Sequence, residues 1–69
     1  MTALTPRQRE VLKALRSGQN TSEIAVSMRV NQTTVREHIK AIKRFYGVES
    51  RGDRAYQEAI HKAAKRGDL

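Results

Sequence analysis

Asn20-Thr21-Ser22-Glu23-Ile24-Ala25-Val26-Ser27-Met28-Arg29-Val30-Asn31-Gln32-Thr33-Thr34-Val35-Arg36-Glu37-His38-Ile39-Lys40 is the stretch on which the fold turns. Asn20, followed three residues later by Glu23, has the spacing of a capping box and starts a helix. Ile24, Ala25 and Met28 then fall on one face of it. That helix must be short, because Asn31-Gln32-Thr33-Thr34 is another polar cap cluster a few residues on, which leaves Met28-Arg29-Val30 as the turn. In the next helix Val35, Ile39, Ile42 and Tyr46 recur at steps of four, three and four, with His38 and Phe45 beside the stripe. The opposite face carries Gln32, Thr33, Arg36, Glu37, Lys40, Lys43 and Arg44, and Gly47 ends the helix.

Upstream, Thr5-Pro6-Arg7-Gln8 is a capping box with Pro in the first helical position, where its missing N–H costs nothing. Val11, Leu12 and Leu15 give that segment an apolar face, and Ser17-Gly18 stops it, so a first helix is expected over about residues 6–17. Downstream, Ser50 or Asp53 is the expected cap of a fourth helix. There the pairs Ala55/Tyr56, Ala59/Ile60 and Ala63/Ala64 recur every four residues. Residues 65–69 read as a frayed tail. The few β-branched residues do not alternate, and no linker, repeat or low-complexity tract interrupts the pattern. The expectation is one all-α domain of four helices over residues 1–69, with its core in about 4–64.

Charge and composition narrow the function. Among 69 residues, 14 Lys and Arg stand against 7 Asp and Glu, a formal +7 with neutral His. Such a field attracts polyanions. Without Cys there is no disulfide framework, thiol nucleophile or Cys-type zinc site, and His38 with the distant His61 makes a poor metal centre. No apolar run is long enough for a membrane span or a signal-peptide core. No triad spacing, inward carboxylate pair or Gly-rich phosphate loop is present, so no enzyme and no cofactor are expected. The expected location is cytoplasmic, at the nucleoid.

Two short helices joined by a tight turn, the second with a basic outer face, make a helix-turn-helix pattern. The whole chain resembles the LuxR/GerE-type (FixJ- and NarL-like) tetrahelical helix-turn-helix DNA-binding domain. The matching stretches are Leu4-Thr5-Pro6-Arg7-Gln8-Arg9-Glu10-Val11-Leu12, Gly18, Glu23-Ile24-Ala25, Thr34-Val35-Arg36-Glu37-His38, Ile42 and Gly47-Val48-Glu49-Ser50-Arg51. The resemblance covers about residues 4–64. Three features depart from the family pattern. Arg29 stands in the turn where Gly is usual, at a cost on the order of 1 kcal/mol if left-handed. Gly52-Asp53-Arg54 stands where an aliphatic residue is expected, which delays the fourth helix or shifts its register. Tyr46 replaces Leu, a swap that works if its hydroxyl reaches water. The family's regulators normally carry a signal-receiving domain as well; 69 residues leave no room for one, so the resemblance is to stand-alone members.

A major groove admits one helix, whose outward side chains read base edges. Arg36 or Lys40 can donate to guanine, Glu37 can accept from cytosine N4, and Gln32 can meet adenine. The resemblance puts the positions of Arg36, Glu37 and Lys40 against the bases, and implies that His38 packs inward with an internal hydrogen bond. Phosphate contacts are expected from Thr21, Ser22, Thr33 and Thr34 at two helix N-termini, with Lys43 and Arg44 further along. The hydroxyls among these serve equally well as helix caps. Lys62, Lys65 and Arg66 can touch flanking phosphates, complement the helix dipole or solubilise the tail. The resemblance assigns dimer contacts to the fourth helix, where Ala55, Ala59 and Ala63 form a small-residue ridge flanked by Tyr56 and Ile60.

The leading reading is therefore a regulator that binds double-stranded operator DNA as a homodimer, with RNA polymerase or a related regulator as a possible further partner. The alternative is an antagonist that pairs through its fourth helix with a full-length regulator of the same family. The basic face of the third helix favours DNA, since an antagonist has no need of it. A fragment like sigma-factor region 4 fits less well, given Gly47-Val48, Ser50-Arg51 and the fourth helix.

Overall fold

The computed structural model describes residues 4–69, and residues 1–3 of the expected domain lie outside them. The described residues form four helices in the order α1 (Pro6–Arg16), α2 (Thr21–Met28), α3 (Gln32–Tyr46) and α4 (Asp53–Arg66), with no strand among them. This is an all-α helix-turn-helix architecture, as the cap pattern predicts. It measures 28 × 25 × 19 Å.

The caps lie where the sequence puts them. Thr5 Oγ1 accepts from the Gln8 N–H and Gln8 Oε1 from the Thr5 N–H, both at 3.1 Å. Asn20 and Glu23 exchange the same pair of bonds at 2.9 Å. Asn31 Oδ1 accepts from the Thr34 N–H at 2.9 Å. Each cap satisfies helix N–H groups that have no partner within their own helix.

One core joins the four helices. Val11, Leu12 and Leu15 of α1, Ile24 and Ala25 of α2, and Val35, Ile39, Ile42 and Tyr46 of α3 are all buried in it, along with Leu4 and Val48. α3 runs through the middle, packing on each of the other three helices. Its buried stripe, read from the steps of four, three and four, fixes which side of α3 faces outward.

The α2–α3 turn holds Arg29, the first of the three departures from the family pattern noted in the sequence. Arg29 has φ 58° and ψ 43°, the only left-handed non-glycine among the described residues. The Val30 N–H reaches back to the Ala25 carbonyl (3.0 Å) and the Arg29 N–H to that of Val26 (3.2 Å). That is a Schellman closure, normally completed by glycine. Arg29 therefore adopts glycine's conformation and carries the strain, rather than reshaping the turn. Arg29→Gly is expected to stabilise the fold by about 0.5–1 kcal/mol once glycine's greater unfolded-state entropy is deducted, and so to raise the denaturation midpoint. An unchanged or lowered midpoint in a urea titration would count against this account.

Two expectations about α4 need correcting. Neither Ser50 nor Asp53 caps it. The cap residue is Gly52, at φ 67° and ψ −149° with no side-chain cap bond, a region open in practice only to glycine. The Ser50 hydroxyl instead donates to Glu58 Oε1 at 3.0 Å. The expected tail, residues 65–69, begins inside the helix. α4 continues through Arg66, whose guanidinium lies 5.9 Å and 5.2 Å from the ring centroids of Phe45 and Tyr46. The Tyr46 hydroxyl donates to Asp68 Oδ2 at 2.6 Å, so it finds a carboxylate where water was expected. Burial and then the Asp68 carboxylate push the Tyr46 phenol well above its ordinary range, against an opposing pull from Arg66 and Arg9.

Candidate nucleic-acid interface

Thr33, Glu37, Lys40 and Arg44 follow one another along α3 at steps of four, three and four, and all four are exposed. This spacing places them in one row on the side away from the core. Arg36 is exposed beside the row, Gln32 is exposed at its N-terminal end, and Lys43 is half-buried at its flank. At about 1.5 Å per residue α3 is roughly 22 Å long, and a bare helix of this width fits a major groove about 12 Å across. The structure thus brings Gln32, Arg36, Glu37 and Lys40 onto one open helix face, together with Lys43 and Arg44.

The hydroxyl residues divide. Ser22 and Thr33 are exposed and Thr21 is half-buried, each in the first turn of its helix. The Thr34 hydroxyl is occupied, donating to Asn31 Oδ1 at 3.0 Å. It acts as part of the α3 cap, the second of the two roles open to it.

His38 is half-buried beside the apolar stripe, as expected, but no internal hydrogen bond of its ring is found among the described residues. Lys62 Nζ donates to the Tyr46 carbonyl at 3.1 Å and lies 3.6 Å from Glu58 Oε2. With Arg66 against the two rings, Lys65 is the one of these three C-terminal cations that has no such contact among the described residues. The cluster therefore caps α3 and braces α4.

The sequence reading missed a groove at the C-terminal end of α3, lined by Lys40, Lys43, Arg44, Gly47, Val48 and Glu49. The signal was present: Lys40, Lys43 and Arg44 stand at i, i+3 and i+4, just before a left-handed glycine turn. Three cations share this groove with a single carboxylate, which suits it to a polyanion's edge.

α4 corrects the dimer assignment. Ala55, Ala59 and Ala63 are 0%, 2% and 0% exposed within this single chain. Alanine is small enough to let α4 lie close against α1 and α3, so the ridge is used up in the core. Tyr56 and Ile60 are half-buried and Ala64 is exposed, at successive steps of four. That row is what α4 leaves open beside its polar residues. Among the described residues no three metal-binding side chains converge, and no helix is long and apolar enough to cross a membrane.

A four-helix arrangement whose second and third helices meet at a Schellman turn, the third showing a cationic outer face, defines a tetrahelical helix-turn-helix domain. The chain matches the family described as bacterial regulatory proteins, luxR family, over residues 2–60, and it belongs to that family. It is also similar to the probable HTH-type transcriptional regulator GfsR of Streptomyces halstedii, with 45% identity over 49 residues. The match takes in 71% of this chain and 20% of that protein, so the chain spans about a fifth of its relative's length. No solved structure matches it.

Proposed function

We propose that this protein is a sequence-specific transcription regulator that lays α3 in the major groove of double-stranded DNA. The observation that carries this reading is the open row on α3, where cations flank a few polar side chains and none of the described residues covers them. Arg36 and Lys40 donate to guanine O6 and N7, Gln32 pairs with adenine, and Glu37 accepts from an exocyclic amine. Lys43, Arg44 and the first turns of α2 and α3, with Thr21, Ser22 and Thr33, hold the phosphates on either side. Thr34 is not among them, because its N–H and its hydroxyl both donate to Asn31 Oδ1.

One domain of this size covers about 600–1,000 Å² of DNA, little for tight specific binding. A two-fold pair on a palindrome, with half-sites about one helical turn apart, doubles it. The pairing surface in this proposal is the row Tyr56, Ile60 and Ala64, not the buried alanines. The same row would serve an antagonist that captures a related regulator. The uncovered basic face of α3 favours DNA.

The test separates base readers from phosphate binders. Arg36→Ala or Lys40→Ala is expected to cost about 1–3 kcal/mol on the selected site and to relax preference at one base pair. Lys43→Ala is expected to weaken binding to all sequences alike and to make the salt slope shallower by about one. Identical behaviour of Arg36→Ala and Lys43→Ala on specific and random duplexes would refute the assignment.

A further inference from the structure

Of the seven acidic side chains, Glu37, Glu49 and Asp53 make no ion pair or side-chain hydrogen bond among the described residues, and Glu37 is the one of these three that lies on α3. Glu10 lies 3.9 Å from Arg7, Glu23 completes the α2 cap, Glu58 takes Ser50 and Lys62, and Asp68 holds Tyr46. Glu37 has neither an ion pair nor a hydrogen bond among the described residues. It is exposed, and stands directly opposite the core in the row Thr33, Glu37, Lys40, Arg44. Lys40, three residues on, is near enough along the helix to pair with it, yet the two do not pair. A free carboxylate therefore stands at the centre of a face that is otherwise built to meet a polyanion.

Resting on the DNA-binding reading above, we propose that Glu37 sets base preference by exclusion, so that the operator must present an exocyclic amine to it. In the major groove guanine offers only acceptors at O6 and N7, and thymine offers an acceptor and a methyl group. A carboxylate against either has its hydration removed and receives no donor in return. Cytosine presents its N4 amine, and adenine its N6 amine beside the N7 acceptor. A carboxylate with two acceptor oxygens fits the lone donor of cytosine best, adenine second, and guanine or thymine not at all. On random sequence about half of the base edges, guanine and thymine, give the carboxylate no donor, and its charge brought near the phosphates opposes binding. Glu37 thus lowers affinity for DNA in general and spares one class of site. It offsets the sequence-blind attraction that a net charge of +7 creates.

The experiment selects binding sites from a randomised duplex library with the wild type, Glu37→Ala and Glu37→Gln, and measures affinity for a random-sequence duplex by fluorescence anisotropy. Because the side chain is exposed and makes no hydrogen bond or ion pair among the described residues, all three should give the same helical circular-dichroism signal. The wild-type motif is expected to contain one position dominated by cytosine, with guanine and thymine depleted. In Glu37→Ala that position goes flat while the positions read by Arg36 and Lys40 persist, and affinity for the random duplex rises about three- to tenfold. Glu37→Gln, which keeps the shape and drops the charge, should show the same rise. The proposal is overturned if that motif position survives in Glu37→Ala, or if neither variant binds random duplex more tightly than the wild type. A wild type that binds no duplex overturns the DNA-binding reading itself, and the proposal with it, a result distinct from either of those.

Discussion

Ala59→Glu is expected to abolish the helical circular-dichroism signal, whereas Ile60→Glu, one residue along, is expected to keep it. Ala59 is 2% exposed where α4 meets the core. A glutamate there must either bury a charge with no partner or push α4 away. Leaving a charge uncompensated in a core costs about 3–5 kcal/mol, and the larger side chain adds overpacking of about 1–3 kcal/mol. At roughly 0.05–0.15 kcal/mol per residue a chain of this length has only about 3–10 kcal/mol of stability to lose. Ile60 is half-buried, so its substitute can turn its carboxylate to water. Ile60→Glu is accordingly the variant that probes pairing. Sedimentation should show it monomeric where the wild type pairs, with binding to a palindrome weakened far more than binding to a half-site. A well-folded Ala59→Glu would contradict the inward packing of α4. A wild type that stays monomeric at high concentration, and binds one to one even on a palindrome, would contradict the pairing proposal.

Affinity for duplex DNA is expected to fall about a thousandfold between roughly 50 and 200 mM salt. The four cations of α3, Arg36, Lys40, Lys43 and Arg44, and the N-termini of α2 and α3 together displace about six counterions, for a log–log slope of roughly −5. Anisotropy at a series of salt concentrations reads the slope directly. A slope near zero on every duplex would remove the basis for the functional proposal.

Most of the helix map can be read in the sequence because it is written in local chemistry. Asn20 with Glu23 and Thr5 with Gln8 are reciprocal caps whose partners are three residues apart, so spacing alone identifies them. The α3 stripe is equally plain, since four large apolar side chains at helical steps admit only one buried side. That stripe also determines by elimination which residues of α3 face outward, so the candidate interface emerged with the fold. The ridge of α4 was harder for a physical reason. Ala55, Ala59 and Ala63 show that something packs closely on that face, but a small side chain is equally suited to a helix of its own chain or of a second one. Tyr46 and Asp68 are 22 residues apart, and no periodicity links a phenol to a carboxylate at that distance. Gly52 is hidden behind Ser50 and Asp53 in the sequence because side-chain caps have a signature there, whereas a cap made by backbone conformation alone does not.

The bond between Tyr46 and Asp68 bears on how the molecule can be handled. Position 46 is the last residue of α3, so the chain's final residues are fastened to the same helix whose other side is open to solvent. A purification tag or fluorophore attached after Leu69 would pull on that fastening, and a deletion of the last two residues would remove it. Either change would be felt at α3 although it lies far from Arg36 in sequence. Gly18 and Gln19, in the loop between α1 and α2, are likewise a poor alternative, because they border the cleft against Tyr56. Residue 13 or 16, exposed on α1, offers an attachment point that touches neither the α3 face nor the α4 row.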